Sequence, residues 1–192
     1  QSGTTPTPSD ATAPAGTEAA AAGEITLDTA LKQDGRVEFD SPNLSGSINL
    51  KGGRFDDVVL KNYRETVDKT SPNIHLLAPS PVAHGYFAEI GFTGDAAMGA
   101  LPGPDTVWTA EGNGKLTPET PVTLTFTNEK GSVFKRTISV DNEYLFTVAD
   151  SVTNGGAADA SLLPYGRVIR YQKPTGTSVY VLHEGAIGYD DV

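Results

Sequence analysis

Cysteine is absent from the 192 residues, and methionine and tryptophan occur once each, as Met98 and Trp108. Without cysteine there is no disulfide frame, no thiolate zinc site and no thiol nucleophile, so packing and hydrogen bonding must hold the fold together. No apolar run approaches the 18 or more residues of a membrane-spanning helix. Basic residues are outnumbered, with Lys+Arg 14 against Asp+Glu 24 and a formal charge of −10. A surface of that sign repels phosphate backbones and anionic lipid heads, so nucleic acid is not an expected partner. Amphipathic helical stretches of ten or more residues are missing too, which argues against a helical bundle. Because Met98 is the sole methionine, residue 1 is not read as a translation start, and a signal peptide or membrane anchor is one candidate for what precedes it.

What is present begins with a low-complexity head. Residues 1–23 contain three prolines, repeated Thr, Ser and Ala, two acids and no base. With nothing to bury, such a segment is expected to stay disordered and to act as a tether whose ends lie roughly 25–30 Å apart. Residues 24–192 then form one expected domain, large enough to bury a core of its own.

In that domain the pattern is short alternating runs separated by turn residues, the signature of antiparallel sheet. Strands are predicted at Arg36 to Asp40, Leu44 to Leu50, Phe55 to Leu60, Ile74 to Ala78, Tyr86 to Phe92 and Thr106 to Thr109. From Val122 the alternation is strongest. Val122, Leu124 and Phe126 share a face, Asn128 to Gly131 turns, and Phe134, Ile138 and Val140 return on the partner strand. Asp141-Asn142 reverses the chain again. Tyr144, Phe146, Val148 and Val152 make the next apolar face, Asn154 to Gly156 closes it, and Ser161 to Tyr171 and Ser178 to Glu184 supply two more strands. Residues 91–104 do not alternate and are read as a loop with a short helical turn. At least ten strands predict an all-β sandwich.

Candidate chemistry is sparse. His75 lies among Ile74, Leu76 and Leu77, where a hydrogen-bonded structural histidine is expected; His84 sits in a solvated loop. His183 and Glu184 are adjacent on a predicted strand and so point to opposite faces. The acids Asp56-Asp57, Glu143, Asp150 and Asp190-Asp191 are read as turn and strand-edge residues that favour solubility, and no pair is placed as a general acid and base. Gly52-Gly53 and Gly155-Gly156 lack the helix and lysine of a phosphate loop and are read as hairpin glycines. No metal-ligand spacing occurs, and neither metal nor cofactor is expected. Trp108 is expected to plug the core rather than to stack a sugar. Tyr165, Arg167, Ile169 and Tyr171 share one face of a strand whose other face carries Leu162, Pro164, Val168 and Arg170. Tyrosine and arginine together on an acidic protein make the first face a candidate docking surface, although the same long side chains could simply cover the core.

Several of these runs resemble one family. They are Ser45 to Asp57, Leu60 to Thr66, Leu76 to Ser80, Tyr86 to Glu89, Phe134 to Ile138, Pro164 to Gly166 and His183 to Gly185. In order and spacing they are similar to the large periplasmic domain of the bacterial membrane-protein insertase YidC, alphaproteobacterial type. The resemblance runs from Arg36 to the end of the chain and implies a galactose-mutarotase-like antiparallel β-supersandwich, set in the periplasm as part of an inner-membrane protein. It implies a non-enzymatic role in insertion and folding of membrane proteins. The implied partners are accessory subunits of the Sec translocon, contacted through the part matched by about Val148 to Ile187, and nascent membrane proteins. It also implies that the domain runs on beyond Val192. The rival reading is a carbohydrate-binding or mutarotase-like sandwich, because one fold hosts many functions.

Overall fold

Alternation of apolar and polar residues becomes two facing sheets. The computed structural model describes residues 25–171 apart from 34, 81, 83 and 113. The expected tether at 1–23 and the strand at 178–184, with His183, Asp190 and Asp191, lie outside the described residues. A five-residue helix α1 (Leu27–Leu31), capped by the Thr26 hydroxyl, precedes strands β1 (Arg36–Asp40), β2 (Leu44–Asn49), β3 (Arg54–Arg64), β4 (Asn73–Leu77) and β5 (Tyr86–Gly94). A 3₁₀ turn (Ala96–Met98) leads to β6 (Thr109–Glu111), β7 (Lys115–Leu116), β8 (Val122–Thr127), β9 (Val133–Val140), β10 (Phe146–Thr153) and β11 (Leu162–Arg170).

The larger sheet runs β11-β5-β3-β2-β1-β7, with β4 also paired to β3; the smaller runs β10-β9-β8-β6. Among the described residues, all strand pairs are antiparallel except β1 with β7. Thus the expected antiparallel sandwich forms, with one parallel addition that two residues were too few to announce. The predicted strand at Thr106 to Thr109 is displaced. Val107 makes only an isolated bridge to Lys51, and β6 starts at Thr109.

The sheets meet through the alternate residues. Val37, Phe39, Leu44, Ile48, Phe55 and Val58 face Val122, Leu124, Phe134, Ile138 and Val140 across one core. Each such buried side chain contributes roughly 1.5–3 kcal/mol relative to leaving it in water. Trp108 is 2 % exposed, the core plug expected from its position. Phe146 ties the sheets together, with its ring 5.1 Å from Phe39 and 5.2 Å from Phe55.

Two polar residues interrupt this apolar layer. Arg136 occupies the inward phase of β9 between Phe134 and Ile138 and is completely buried. Asp150 stands opposite it on β10, where its carboxylate accepts bonds from Nε at 2.8 Å and Nη2 at 2.9 Å. The guanidinium also donates to the Ile90 carbonyl at 3.0 Å and lies 5.0 Å over the Trp108 ring. Asp150 does lie on the edge strand of its sheet, as expected, but its carboxylate does more than favour solubility. It is the counter-ion of a cation that has no access to water, and an unpaired buried charge would be costly.

Candidate functional site

The side chains with unexplained chemistry lie mainly on the outer face of the larger sheet, and a β-bulge puts the first of them there. Ser47 pairs with Asp57 while Ile48 pairs with Phe55, so Asp56 is the extra residue. Adjacent strand residues normally point to opposite faces; the bulge lets both acids turn away from the core. Asp56 and Asp57 are buried, 3 % and 7 % exposed, which corrects the reading of both as turn acids. Asp56 is held by the Arg36 guanidinium and by Asn49 Nδ2 at 3.2 Å. Asp57 accepts from the Ser47 hydroxyl at 2.5 Å, and His75 Nε2 lies 2.9 Å from its other oxygen, close enough for charge pairing but without a well-aligned N–H. Burial pushes the Asp56 carboxyl above its ordinary range, more than Arg36 and Asn49 restore. Burial also acts to raise Asp57, but His75, Ser47 and Arg36 together outweigh it and hold that carboxyl below its ordinary range.

His75 thus stands beside a carboxylate on the sheet, but among the described residues its Nε2 lacks the aligned hydrogen bond expected of a structural histidine. The serine contacts the aspartate rather than the imidazole, which is not the order in which a hydroxyl nucleophile is activated. His84 is exposed in its loop with φ of 63°, and Glu143 sits in the turn where Asp141 Oδ1 accepts its N–H at 2.8 Å.

Farther along the same face, β5 and β11 carry the candidate docking residues. Tyr165 stands opposite Gly91, Arg167 opposite Glu89 and Ile169 opposite Phe87. The three therefore do share a face, on a strand that has β5 as its one neighbour among the described residues. Tyr171 lies just past the strand, 48 % exposed, with its ring 6.1 Å from Phe87. Tyr165 lies flat across the sheet. A Cβ placed on Gly91 would come within 2.5 Å of its hydroxyl, so the glycine is what lets the ring down onto the backbone.

Arg167 has a partner that sequence reading did not assign. Glu89, 2 % exposed, accepts from Arg167 Nε at 2.5 Å through one oxygen and from Arg54 Nε at 2.9 Å through the other. Arg54 stacks 5.0 Å above Phe87. The available signal was the phase of β5: Phe87 and Glu89 are two apart, so a carboxylate shares a face with a buried ring and needs a cation there.

The inner face offers a different feature. Seven strands overhang four, and an apolar cleft of about 360 Å³ opens beside β10, lined by Leu60, Leu76, Leu77, Ile90, Tyr144 and Val148 among others. Tyr144, predicted as part of the β10 face, lies in the preceding turn and forms part of its wall. Among the described residues, no polar side chain lines the cleft apart from the tyrosine hydroxyl.

Comparison with known proteins bears on what such a surface serves. Residues 36–192 match the family model described as the YidC periplasmic domain. Membrane protein insertase YidC of Brucella suis is 58 % identical over 170 residues, covering 88 % of this chain and 28 % of that protein. The insertase of the same name from Rhizobium johnstonii is 56 % identical over 186 residues, covering 97 % of this chain and 31 % of that protein. That of Sinorhizobium fredii is 59 % identical over 161 residues, covering 84 % and 27 %. The chain thus spans under a third of the length of these relatives.

Proposed function

The chain belongs to the YidC periplasmic-domain family, and from that premise we propose that it is a non-enzymatic docking module of a membrane-protein insertase. It works on the periplasmic side of the inner membrane and engages accessory subunits of the Sec translocon while clients enter the bilayer. The observation that carries this reading is the outer face of β11. Tyr165, Arg167 and Ile169 are aligned there with exposed Tyr171 beyond them, and tyrosine and arginine are the side chains that most often dominate binding at interfaces.

The paired acids support docking over catalysis. Asp56 and Asp57 are each committed to partners in the sheet, and neither is paired with a second group across an open cleft, as acid–base chemistry requires. A sugar-binding reading loses its platform because Trp108 is buried under Arg136.

The test is photo-crosslinking from the full-length insertase in membranes, with a benzophenone side chain at Tyr171 or Ile169 and a control at Thr123 on the other sheet. The expected result is a discrete crosslink to a Sec accessory subunit from the β11 positions alone. Equal crosslinking from Thr123, or none from β11, would place docking elsewhere. The same chain should be silent in mutarotation and glycan-array assays.

A further inference from the structure

Among the described residues, the charges around Glu89 do not balance. One buried carboxylate lies between two guanidinium groups, leaving one positive charge in excess on a protein whose formal charge is −10. Glu89 occupies Arg54 through Nε and Arg167 through Nε and Nη2. Both Nη groups of Arg54 and Nη1 of Arg167 have no acceptor among the described residues. The two side chains are only 20 % and 30 % exposed, so the surplus charge is partly shielded from water, where a charge-assisted hydrogen bond is stronger than in bulk solvent.

We propose that Arg54 and Arg167 form a seat for a carboxylate of an acidic partner segment, whose neighbouring apolar side chain packs on Ile169 and Tyr171. This deepens the docking reading and rests on it. Two guanidinium forks that already share one carboxylate are spaced to share a second one above it, and planar forks favour carboxylates by matching them with paired N–H groups. Phe87 beneath Arg54 fixes one fork, so little freedom is lost when it binds. Electrostatics add direction: an acidic segment is repelled by most of this surface and attracted here, which selects one orientation. A lipid surface fits less well, because the remaining charge would oppose approach to anionic heads.

The experiment uses the isotope-labelled 192-residue chain and three blocked nonapeptides that alternate leucine with glutamate, glutamine or lysine. The glutamate peptide is expected to bind about ten-fold tighter than the glutamine one, the size of one charge-assisted hydrogen bond. It should shift the side-chain Nε–H resonances of Arg54 and Arg167 and the amides of 165–171. Arg54→Gln and Arg167→Gln should each weaken it several-fold. Glu89→Gln, which removes the neutralising charge and keeps the shape, should tighten it several-fold. That last response would not follow if the arginines served only as counter-ions of Glu89.

Equal affinity for the glutamate and glutamine peptides overturns the proposal, and so does a folded Glu89→Gln variant with unchanged affinity. Phosphatidylglycerol vesicles that shift the same arginine resonances without any peptide preference overturn it as well. If Glu89→Gln does not fold, the peptide comparison on the unaltered chain still decides. Translocon crosslinks from Tyr171 with no glutamate preference would sink the carboxylate seat alone. A glutamate preference without those crosslinks would sink the translocon assignment and leave the seat standing.

Discussion

Removing Asp150 should damage this domain more than removing the arginine it neutralises. The Arg136 side chain has no solvent exposure, whereas that of Asp150 is 17 % exposed. In Asp150→Ala the guanidinium loses two bonds, at 2.8 and 2.9 Å, and among the described residues keeps the Ile90 carbonyl and the Trp108 ring. A buried cation left in that state costs about 3–5 kcal/mol. In Arg136→Met the core gains an apolar chain of similar reach, and the stranded carboxylate can still be hydrated at its exposed edge, so about 2–3 kcal/mol is expected. Arg136→Met/Asp150→Leu removes both charges, and its loss should fall below the sum of the single variants by about 2 kcal/mol or more. The assay is equilibrium urea unfolding. With a slope of about 2 kcal/mol per molar, Asp150→Ala should lower the midpoint by about 2 M. A decrease equivalent to less than about 1 kcal/mol would show that the pair is hydrated, and strict additivity in the double variant would show that the two charges do not interact.

Phe146→Ala should cost about 3 kcal/mol, the low end for a phenylalanine, because one side of the ring already borders the cleft; a loss under about 1 kcal/mol in urea unfolding would mean that Phe39 and Phe55 close over the gap. Gly91→Ala should destabilise by about 1–3 kcal/mol by lifting Tyr165 off the sheet, and Tyr165→Ala should largely suppress that loss; an undiminished loss would point to backbone strain instead. The two buried acids should act oppositely with pH. Asp57, held below its ordinary value of 3.8, adds stability that is full above about pH 4 and is lost as the pH falls through its folded value, so Asp57→Asn should flatten the acid limb of a stability–pH curve. Asp56, raised above 3.8, binds its proton more tightly when folded, so its contribution to stability rises as the pH falls between the raised value and 3.8. Asp56→Asn should remove that offset and steepen the decline across this window; identical curves for the two variants would contradict the assignment.

The amino-acid sequence by itself determined the layers. Period-two alternation from Val122 to Val140 names the inward residues without knowledge of their partners, because a strand's pleat alone sends alternate side chains to one side. The position of Trp108 in the core, the hairpin glycines Gly52-Gly53 between β2 and β3 and the resemblance to an insertase domain were legible for the same reason, being local runs in order. Gly155-Gly156 was misread as a hairpin: it carries the chain from β10 in one sheet to β11 in the other, and the two strands do not pair. What alternation could not show was which apolar face tolerates a charge. Arg136 and Asp150 interrupt two apolar faces, and they belong together only because the β9–β10 register sets them opposite one another. Similarly, Asp56-Asp57 reads as a polar edge until the bulge against Ser47 turns both acids to one buried face. The short β7 was invisible because its two residues carry no period; only pairing with β1 makes it a strand. Glu89 sits in a clean alternating run, but its partners Arg54 and Arg167 come from positions 35 residues before it and 78 after it. Local chemistry therefore decided where each side chain points, so the Tyr165, Arg167 and Ile169 face was legible along β11, while long-range register decided which charges meet and so brought Glu89 and Arg54 to that face.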